Sequence, residues 1–209
     1  MVDVLHVVVT RPWPVTLTHG DVGLRPLRHT DARRWREVRR RNVEWLQEWE
    51  ATMPPQAPFD TGVLPTFGSM VRRLRRDARE LRTLPWALTY RGQLVGQVTV
   101  GGIAWGSARQ AYIGYWIDSE VAGRGIMPTA VAMAVDYCLD VLHLHRVEIN
   151  IRPENRASLR VVEKLGLRFE GERMAYLHIN GDWRDHLTYV ADASTTGYLT
   201  RYTAAHPHG

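Results

Sequence analysis

The chain has 209 residues, 44% hydrophobic and 23% charged, which excludes a disordered or collagen-like polypeptide and allows one generous domain or two small ones. Its 27 basic against 22 acidic residues give a net charge of +5, and every Lys or Arg except Lys164 is arginine. The excess is local: Arg28 to Arg41 carries +5 and Arg72 to Arg82 carries +4, so the remainder sums to −4 and the chain is a near-neutral body with two Arg-rich segments.

The N-terminal apolar patch Val7 to Val9 has no basic stretch ahead of it, and no apolar run reaches the ~18 residues that span a bilayer. A soluble cytoplasmic protein with no membrane partner is expected, with residues 1–20 an N-terminal extension. The single cysteine, Cys138, excludes an internal disulfide and sits in an apolar run, where a buried thiol in a reducing compartment is expected. No repeat, heptad or low-complexity tract interrupts the chain.

Val22 to Leu27 alternates as a first strand. His29 to Glu50 then reads as one helix with Thr30 as N-cap, carrying Trp35, Val38, Trp45, Leu46 and Trp49 as an interrupted apolar stripe until Pro54, Pro55 and Pro58 stop it. Phe67, Met70, Val71, Leu74 and Leu81 recur at helical spacing, with the second Arg cluster on the other faces. Trp86 to Ile103 reads as two strands around an Arg91-Gly92 turn, and Ala111 to Asp118 continues the sheet, most simply antiparallel. Ile126 to Leu142 is apolar on nearly all sides, which a helix tolerates only when covered on most of its surface. A strand His145 to Ile151, a helix Asn155 to Gly166 and a hairpin turning at Asn180-Gly181 complete the pattern. The whole is a three-layer α/β arrangement without a second domain.

Chemistry concentrates in two stretches. Ala122 to Met127, AGRGIM, lies between a strand and the buried helix; two glycines allow a tight turn and close backbone approach, and free first-turn N–H groups suit a pyrophosphate. Pro128 removes one donor, and a plain structural turn stays open on this motif alone. It is neither a P-loop nor the dinucleotide fingerprint. In the second stretch, Ile151 to Gly171, Asn155 can cap the helix while Ser158 and Arg160 project from its first turns. His143 with His145, and His206 with His208, lack a third ligand at metal-binding spacing, so no metal is expected.

In order, the strand IGYWID, the loop AGRGIM, the buried helix, HRVEINI, PENRAS with its helix, LGLRFEG and YLHINGDWRDH resemble the GNAT acyltransferase superfamily. Within it they resemble the RimJ/RimL-type ribosomal-protein-alanine N-acetyltransferases, and Trp183 to His186 and His143 to Arg146 lean toward the RimJ branch. The resemblance spans about Val22 to Ala191 and is strongest from Tyr112 onward. It implies one N-acetyltransferase domain over residues 21–195 with 196–209 a C-terminal tail. The implied fold is α/β (α+β), a mixed, mostly antiparallel sheet split to hold acetyl-CoA, with helices on both faces. The pantetheine arm would pair with main chain at Trp116, Ile117 and Asp118. Pyrophosphate would lie on Gly123, Arg124, Gly125, Ile126 and Met127 with help from Arg124 and Arg160, and Asn155 and Ser158 would approach the thioester. Ala122 departs from the Gln or Arg that often opens the motif, which removes a side-chain contact but not an amide cradle.

Acetyl transfer needs a neutral amine, a polarised thioester and a proton for the departing thiolate. An α-amine of pKa roughly 7.7 to 8.0 is about 10 to 15% neutral at pH 7, whereas a lysine near 10.4 is neutral about 0.04% of the time, so an N-terminus can be served by a weak base or water. No carboxylate stands out as base: Glu120 and Glu148 read as solvated or ion-paired. The expected chemistry is water-relayed deprotonation, a main-chain N–H near Tyr115 on the carbonyl, and Ser158 or Tyr115 protonating the thiolate. Trp45 and Trp49, one turn apart, are candidates for lining the acceptor cleft, against a reading as ordinary core aromatics. The expected acceptor is the N-terminus of a protein, foremost a ribosomal protein beginning with Ala. Alternatives are a polyamine or aminoglycoside, which would need an acidic cleft, or a protein lysine. The Arg segments could also make weak RNA contact, though no RRM, KH or OB signature makes RNA binding the function.

Overall fold

A computed structural model describes residues 12–54 and 66–207. Val7 to Val9, Pro55, Pro58 and His208, each read above, lie outside the described residues. Eight strands form one sheet in the spatial order β1 (Leu17–His19), β2 (Val22–Pro26), β3 (Leu84–Tyr90), β4 (Gln93–Ala104), β5 (Gln110–Ile117), β6 (Arg146–Ile151), β8 (Asp182–Asp192) and β7 (Arg168–Ile179). All neighbours are antiparallel except β5 and β6. The Arg91-Gly92 and Asn180-Gly181 hairpins turn as expected, both residues of each having positive φ, which matches the twist of the flanking strands. The hairpin partner β1 was not foreseen; three residues are too few to show a period.

The parallel pair positions the site. β5 and β6 pair only over Gln110–Tyr112 and Arg146–Glu148. Beyond that, β5 stays bonded to β4 as far as Ile117, and β6 to β8 as far as Ile151. Each strand is held by its outer neighbour, so the sheet splits between them.

The link from β5 to β6 is α4 (Ile126–Asp136), buried at every residue from Ile126 to Val135. It continues as a π turn over Tyr137–Val141, in which Tyr137, Cys138 and Leu139 are buried. The apolar surface of α4 packs on the sheet face that carries Trp86, Leu88 and Val98, and is covered by α5 (Arg156–Leu165) and α6 (Tyr198–Ala205). The opposite face takes α1 (Ala32–Arg41) and α3 (Phe67–Arg79), whose Val38, Phe67 and Val71 meet Ala87 and Leu94. Successive strand residues supply both cores: Trp86 and Leu88 point one way and Ala87 the other.

The single helix expected over His29 to Glu50 is broken. α1 stops at Arg41 and a short α2 (Val43–Gln47) follows, because Asn42 leaves helical geometry at φ −109° to make tertiary bonds. Its side chain, 1% exposed, donates to the Val38 carbonyl and to Asp118, both at 2.8 Å, and accepts the Ser119 N–H at 2.9 Å. Thr30 is not the N-cap. It lies in a 3-10 turn where the Asp31 carboxylate accepts the Arg28 N–H at 2.8 Å and pairs with both terminal nitrogens of Arg25.

The two Arg-rich segments also differ. On α1, Arg41 pairs with Asp118 and Glu120, Arg39 pairs with Glu50 and stacks on Trp35 and Trp116, and Arg33 and Arg34 flank Glu37. On α3, Arg72, Arg73, Arg75 and Arg79 are exposed with no carboxylate partner among the described residues. Arg36 and Arg40 of α1 are exposed and likewise have no carboxylate partner among the described residues, so both segments show positive charge to solvent, α3 with four such arginines and α1 with two.

Candidate active site

The split between β5 and β6 opens a cavity of about 230 Å3. Ile113, Gly114 and Tyr115 line it from β5, and Ile149, Asn150 and Ile151 from β6. Asn155 and Ser158, at the start of α5, close one end.

Main-chain direction along β5 follows from one bond. The Asp118 N–H donates to the Val95 carbonyl at 2.8 Å, so in antiparallel alternation Trp116 and Gly114 also turn their polar groups toward β4, while those of Ile113, Tyr115 and Ile117 face the split. The Ile117 carbonyl accepts the Trp45 indole N–H at 3.2 Å, leaving Tyr115 with open main-chain groups in this stretch. β4 comes close here through Gly96, where a β-carbon would lie 2.3 Å from the Trp116 carbonyl oxygen.

After β5 the chain turns through Ala122 to Met127. Gly123 and Gly125 have φ of 81° and 76°, and Gly125 is the N-cap of α4 in the left-handed region, which strains any residue with a β-carbon. The N–H groups of Gly123 through Met127 meet no acceptor among the described residues, Pro128 has none, and the next, Thr129, bonds back to the Gly125 carbonyl at 3.1 Å. Such a row of free amides at a helix start is an anion cradle. Arg124 in this loop and Arg160 on α5 are exposed, and Arg124 donates to the Glu120 carbonyl at 3.2 Å.

Asp118 fixes the loop to α1. It is 0% exposed and is bonded by Arg41, Asn42 and the Glu120 N–H. Burial alone would raise its carboxyl, but those hydrogen bonds outweigh burial and hold it below the usual carboxylate range.

Tyr115 and Ser158 meet across the split. The Ser158 Oγ–H donates to Tyr115 Oη at 2.9 Å, while Asn155 Oδ1 accepts the Ser158 N–H at 3.0 Å, so Asn155 is the N-cap of α5 as expected. Burial pushes the Tyr115 phenol up, so it is protonated at neutral pH. With Ser158 donating, the phenolic hydrogen of Tyr115 turns toward the Ser158 main-chain carbonyl, a long contact of 3.4 Å.

Of the two tryptophans, Trp49 lines the cavity, with the Arg152 guanidinium 5.2 Å from its ring centroid. Trp45 does not line it; it is 41% exposed and lies against the end of β5, so neither is an ordinary core aromatic. Glu120 pairs with Arg41, and Glu148, 8% exposed, pairs with Arg146 and Arg173 at 2.9 and 2.7 Å.

Sequence reasoning missed Arg152, Leu177, Ile179 and His186 in the lining. Arg152 donates to the Glu48 carbonyl at 2.9 Å and is the lining residue with a permanent charge; none of the described lining residues is Asp or Glu. His186 is 3% exposed, and its Nδ1 lies 2.9 Å from the Arg184 carbonyl. Burial pushes its pKa below the usual histidine value despite that bond. A usable signal existed: His186, Thr188 and Val190 alternate as the buried phase of β8. Among the described residues no group of three His, Cys, Asp or Glu is placed to hold a metal ion, and no helix is long and apolar enough to cross a membrane.

A mixed sheet that opens beside a glycine-turned helix N-terminus is the frame of the GNAT acetyltransferases, and the profile of the acetyltransferase (GNAT) domain matches residues 21–168. The chain belongs to that family and is an N-acetyltransferase with acetyl-CoA as cosubstrate. Mycobacterium smegmatis RimJ in complex with CoA-disulfide superposes with a TM-score of 0.85 at 35% identity, covering 94% of this chain and 97% of that one. The ribosomal protein uS5-alanine N-acetyltransferase of Escherichia coli (strain K12) is 27% identical over 180 residues, covering 83% of this chain and 88% of that protein. A shorter match, 43% over 94 residues to the "Probable N-acetyltransferase YjcK" of Bacillus subtilis (strain 168), covers 45% of this chain and 52%, about half, of that relative.

Proposed function

We propose that the chain moves the acetyl group of acetyl-CoA to the N-terminal amine of a protein, foremost a ribosomal protein beginning with Ala. The observation that carries this reading is the lining of the cavity: no carboxylate among its described residues, and Arg152 as its one permanently charged group, paired outside the lining with Glu154 at 3.2 Å. A polyamine or aminoglycoside brings several positive charges for which such a lining offers no partner, whereas a protein N-terminus brings one amine that is already partly neutral at pH 7. The substrate named for the Escherichia coli relative, an alanine of a ribosomal protein, supports the same choice.

In this reading the pantetheine arm lies along the open edge of β5 at the Tyr115 main chain and the Ile117 N–H, not at Trp116 or Asp118, whose polar groups turn toward β4 or into the following turn. The pyrophosphate sits on the amides of Gly123 to Met127 with Arg124 and Arg160 at its rim. The Tyr115 N–H polarises the thioester carbonyl, and water carries off the amine's proton. Tyr115 is the final donor to the thiolate and Ser158 restores its proton, because the observed bond runs from Ser158 to Tyr115. Tyr115→Phe then lowers kcat about 100-fold. Ser158→Ala lowers it roughly tenfold, the worth of one hydrogen bond, with acetyl-CoA affinity unchanged. Wild-type kcat in Ser158→Ala at saturating acetyl-CoA removes Ser158 from the relay.

The deciding experiment is thiol release from acetyl-CoA with peptides starting in Ala, Ser or Met, a blocked-terminus lysine peptide, and spermidine. Turnover with the Ala peptide is expected. Turnover only with the lysine peptide or spermidine overturns the proposal.

A further inference from the structure

The mechanism lacks a defined proton acceptor, and the two carboxylates weighed above for that role are engaged: Glu120 by Arg41, Glu148 by Arg146 and Arg173. The other buried histidine of this hairpin, His178, is held by Thr52, whose hydroxyl lies 2.8 Å from its Nδ1. The cavity wall itself carries one imidazole among its described residues, that of His186.

We propose that Nε2 of His186 is the general base of acetyl transfer, taking the proton of the attacking amine directly or through one water. Three geometric facts support it. His186 shares the cavity with Tyr115 and Ser158, so an acceptor amine admitted to one is admitted to the other. Its Nδ1 faces the Arg184 carbonyl of its own strand at 2.9 Å, a contact that fixes the proton on Nδ1 and leaves the Nε2 lone pair free. The Tyr176 ring packs edge-on at 5.8 Å and holds the imidazole plane.

Burial, more than the groups facing the ring, keeps it neutral. Arg152 lowers its proton affinity, as burial does, while Asp185 and Glu154 raise it. Both acids are engaged elsewhere: Asp185 accepts the Ala175 N–H at 2.6 Å, and Glu154 accepts from Arg152 at 3.2 Å. Burial, which pushes the Tyr115 phenol up, keeps that group uncharged at neutral pH.

The step balances. The neutral amine attacks the thioester carbon and a C–N bond forms. As positive charge develops on nitrogen, its proton passes to Nε2. The C–S bond breaks, its electron pair leaves with sulfur, and Tyr115 gives that sulfur a proton. His186 has gained one proton and Tyr115 has lost one, so exchange through water and Ser158 restores both.

This inference rests on the split being the acetyl-transfer site of the proposed Nα-acetyltransferase, but not on which amine is acetylated. The test is kcat against pH between about 5 and 9 for wild type, His186→Gln and His186→Asn, acetyl-CoA and acceptor saturating. The acceptor is the peptide or amine that turns over fastest, so a protein that prefers spermidine refutes the N-terminal reading and the base is still tested on spermidine. Expected are a fall in kcat of about 100-fold at pH 7 and loss of the wild-type acid limb. Acetyl-CoA affinity by calorimetry stays within about twofold. A folded His186→Gln enzyme that retains wild-type kcat, or the same acid limb, overturns the assignment. Nitrogen NMR of the wild type gives a second measurement that needs no variant. The Nδ1-protonated tautomer at neutral pH with titration below about 6.5 is expected, and an Nε2-protonated tautomer overturns it.

Discussion

The two walls of the split are made of different material. The β5–α4 wall offers main chain: the open edge at Tyr115 and a row of amides from Gly123 to Met127, set by two glycines in the left-handed region. The opposite wall offers side chains from separate stretches, with Trp49 following α2, Arg152 following β6, Leu177 and Ile179 from β7, and His186 from β8. A backbone wall depends on a few residues that set φ and tolerates variation elsewhere. A side-chain wall depends on each of its members and exists only once distant segments have converged. The first suits a cosubstrate common to a family, and the second suits an acceptor peculiar to one enzyme.

Substitutions that touch one wall at a time sharpen this contrast. The largest effect is expected from Gly125→Val, which forces a β-branched residue into the left-handed region and tilts the amide row. Acetyl-CoA Kd should rise about 100-fold, from a loss of about 3 kcal/mol, with acceptor KM little changed. Unchanged Kd by calorimetry would show that the wall does not bind through its main chain.

Next is Asp118→Ala, which strips Arg41 and Asn42 of their shared acceptor and should lower stability by about 2 kcal/mol in denaturant melts. The pH dependence follows from the depressed carboxyl. A folded value below the unfolded one, about 3.9, contributes stability that is present above that pH and is lost as pH falls through the folded value. Asp118→Asn should therefore flatten the loss of stability below about pH 4. An acid limb as steep as that of wild type would assign it to other carboxylates.

On the acceptor wall, Trp49→Leu should raise acceptor KM about tenfold through lost stacking with Arg152 and lost contact area, leaving acetyl-CoA Kd alone. The smallest effect is expected from replacing Arg72, Arg73, Arg75 and Arg79 of α3 by Gln. KM for a ribosomal or other acidic protein substrate should rise about threefold with a shallower salt dependence, and short-peptide kinetics should hold. Unchanged salt dependence would make α3 a simple solvated face.

The same division explains how much could be read in advance. Residues whose role is local were legible: Gly125 before an all-apolar helix, Asn155 as cap, Asn180-Gly181 between alternating runs. The break at Asn42 was not, because its partner Asp118 lies 76 positions away and nothing within one turn of Asn42 announces it. Thr30 looked like a cap by type, but Asp31 could satisfy the turn and bind Arg25 at once. His186 was visible as part of a family-like WRDH string, yet its chemical use depends on the strand facing a cavity that only β5, β6 and α5 together enclose. The paired state of Glu120 and Glu148 was anticipated in kind, though not the identity of the arginines.

The lone thiol has a practical consequence. Cys138 is 0% exposed in the π turn that continues α4, and burial pushes its thiol pKa up, which keeps it from becoming a nucleophilic thiolate. A disulfide reagent that counts liberated CoA should therefore see no background from native enzyme. One extra equivalent per chain should appear only when the core opens. The sequence thus carries a built-in clock for global unfolding, read in the same cuvette as turnover, and any variant above that reacts early with the reagent has lost its core rather than its chemistry.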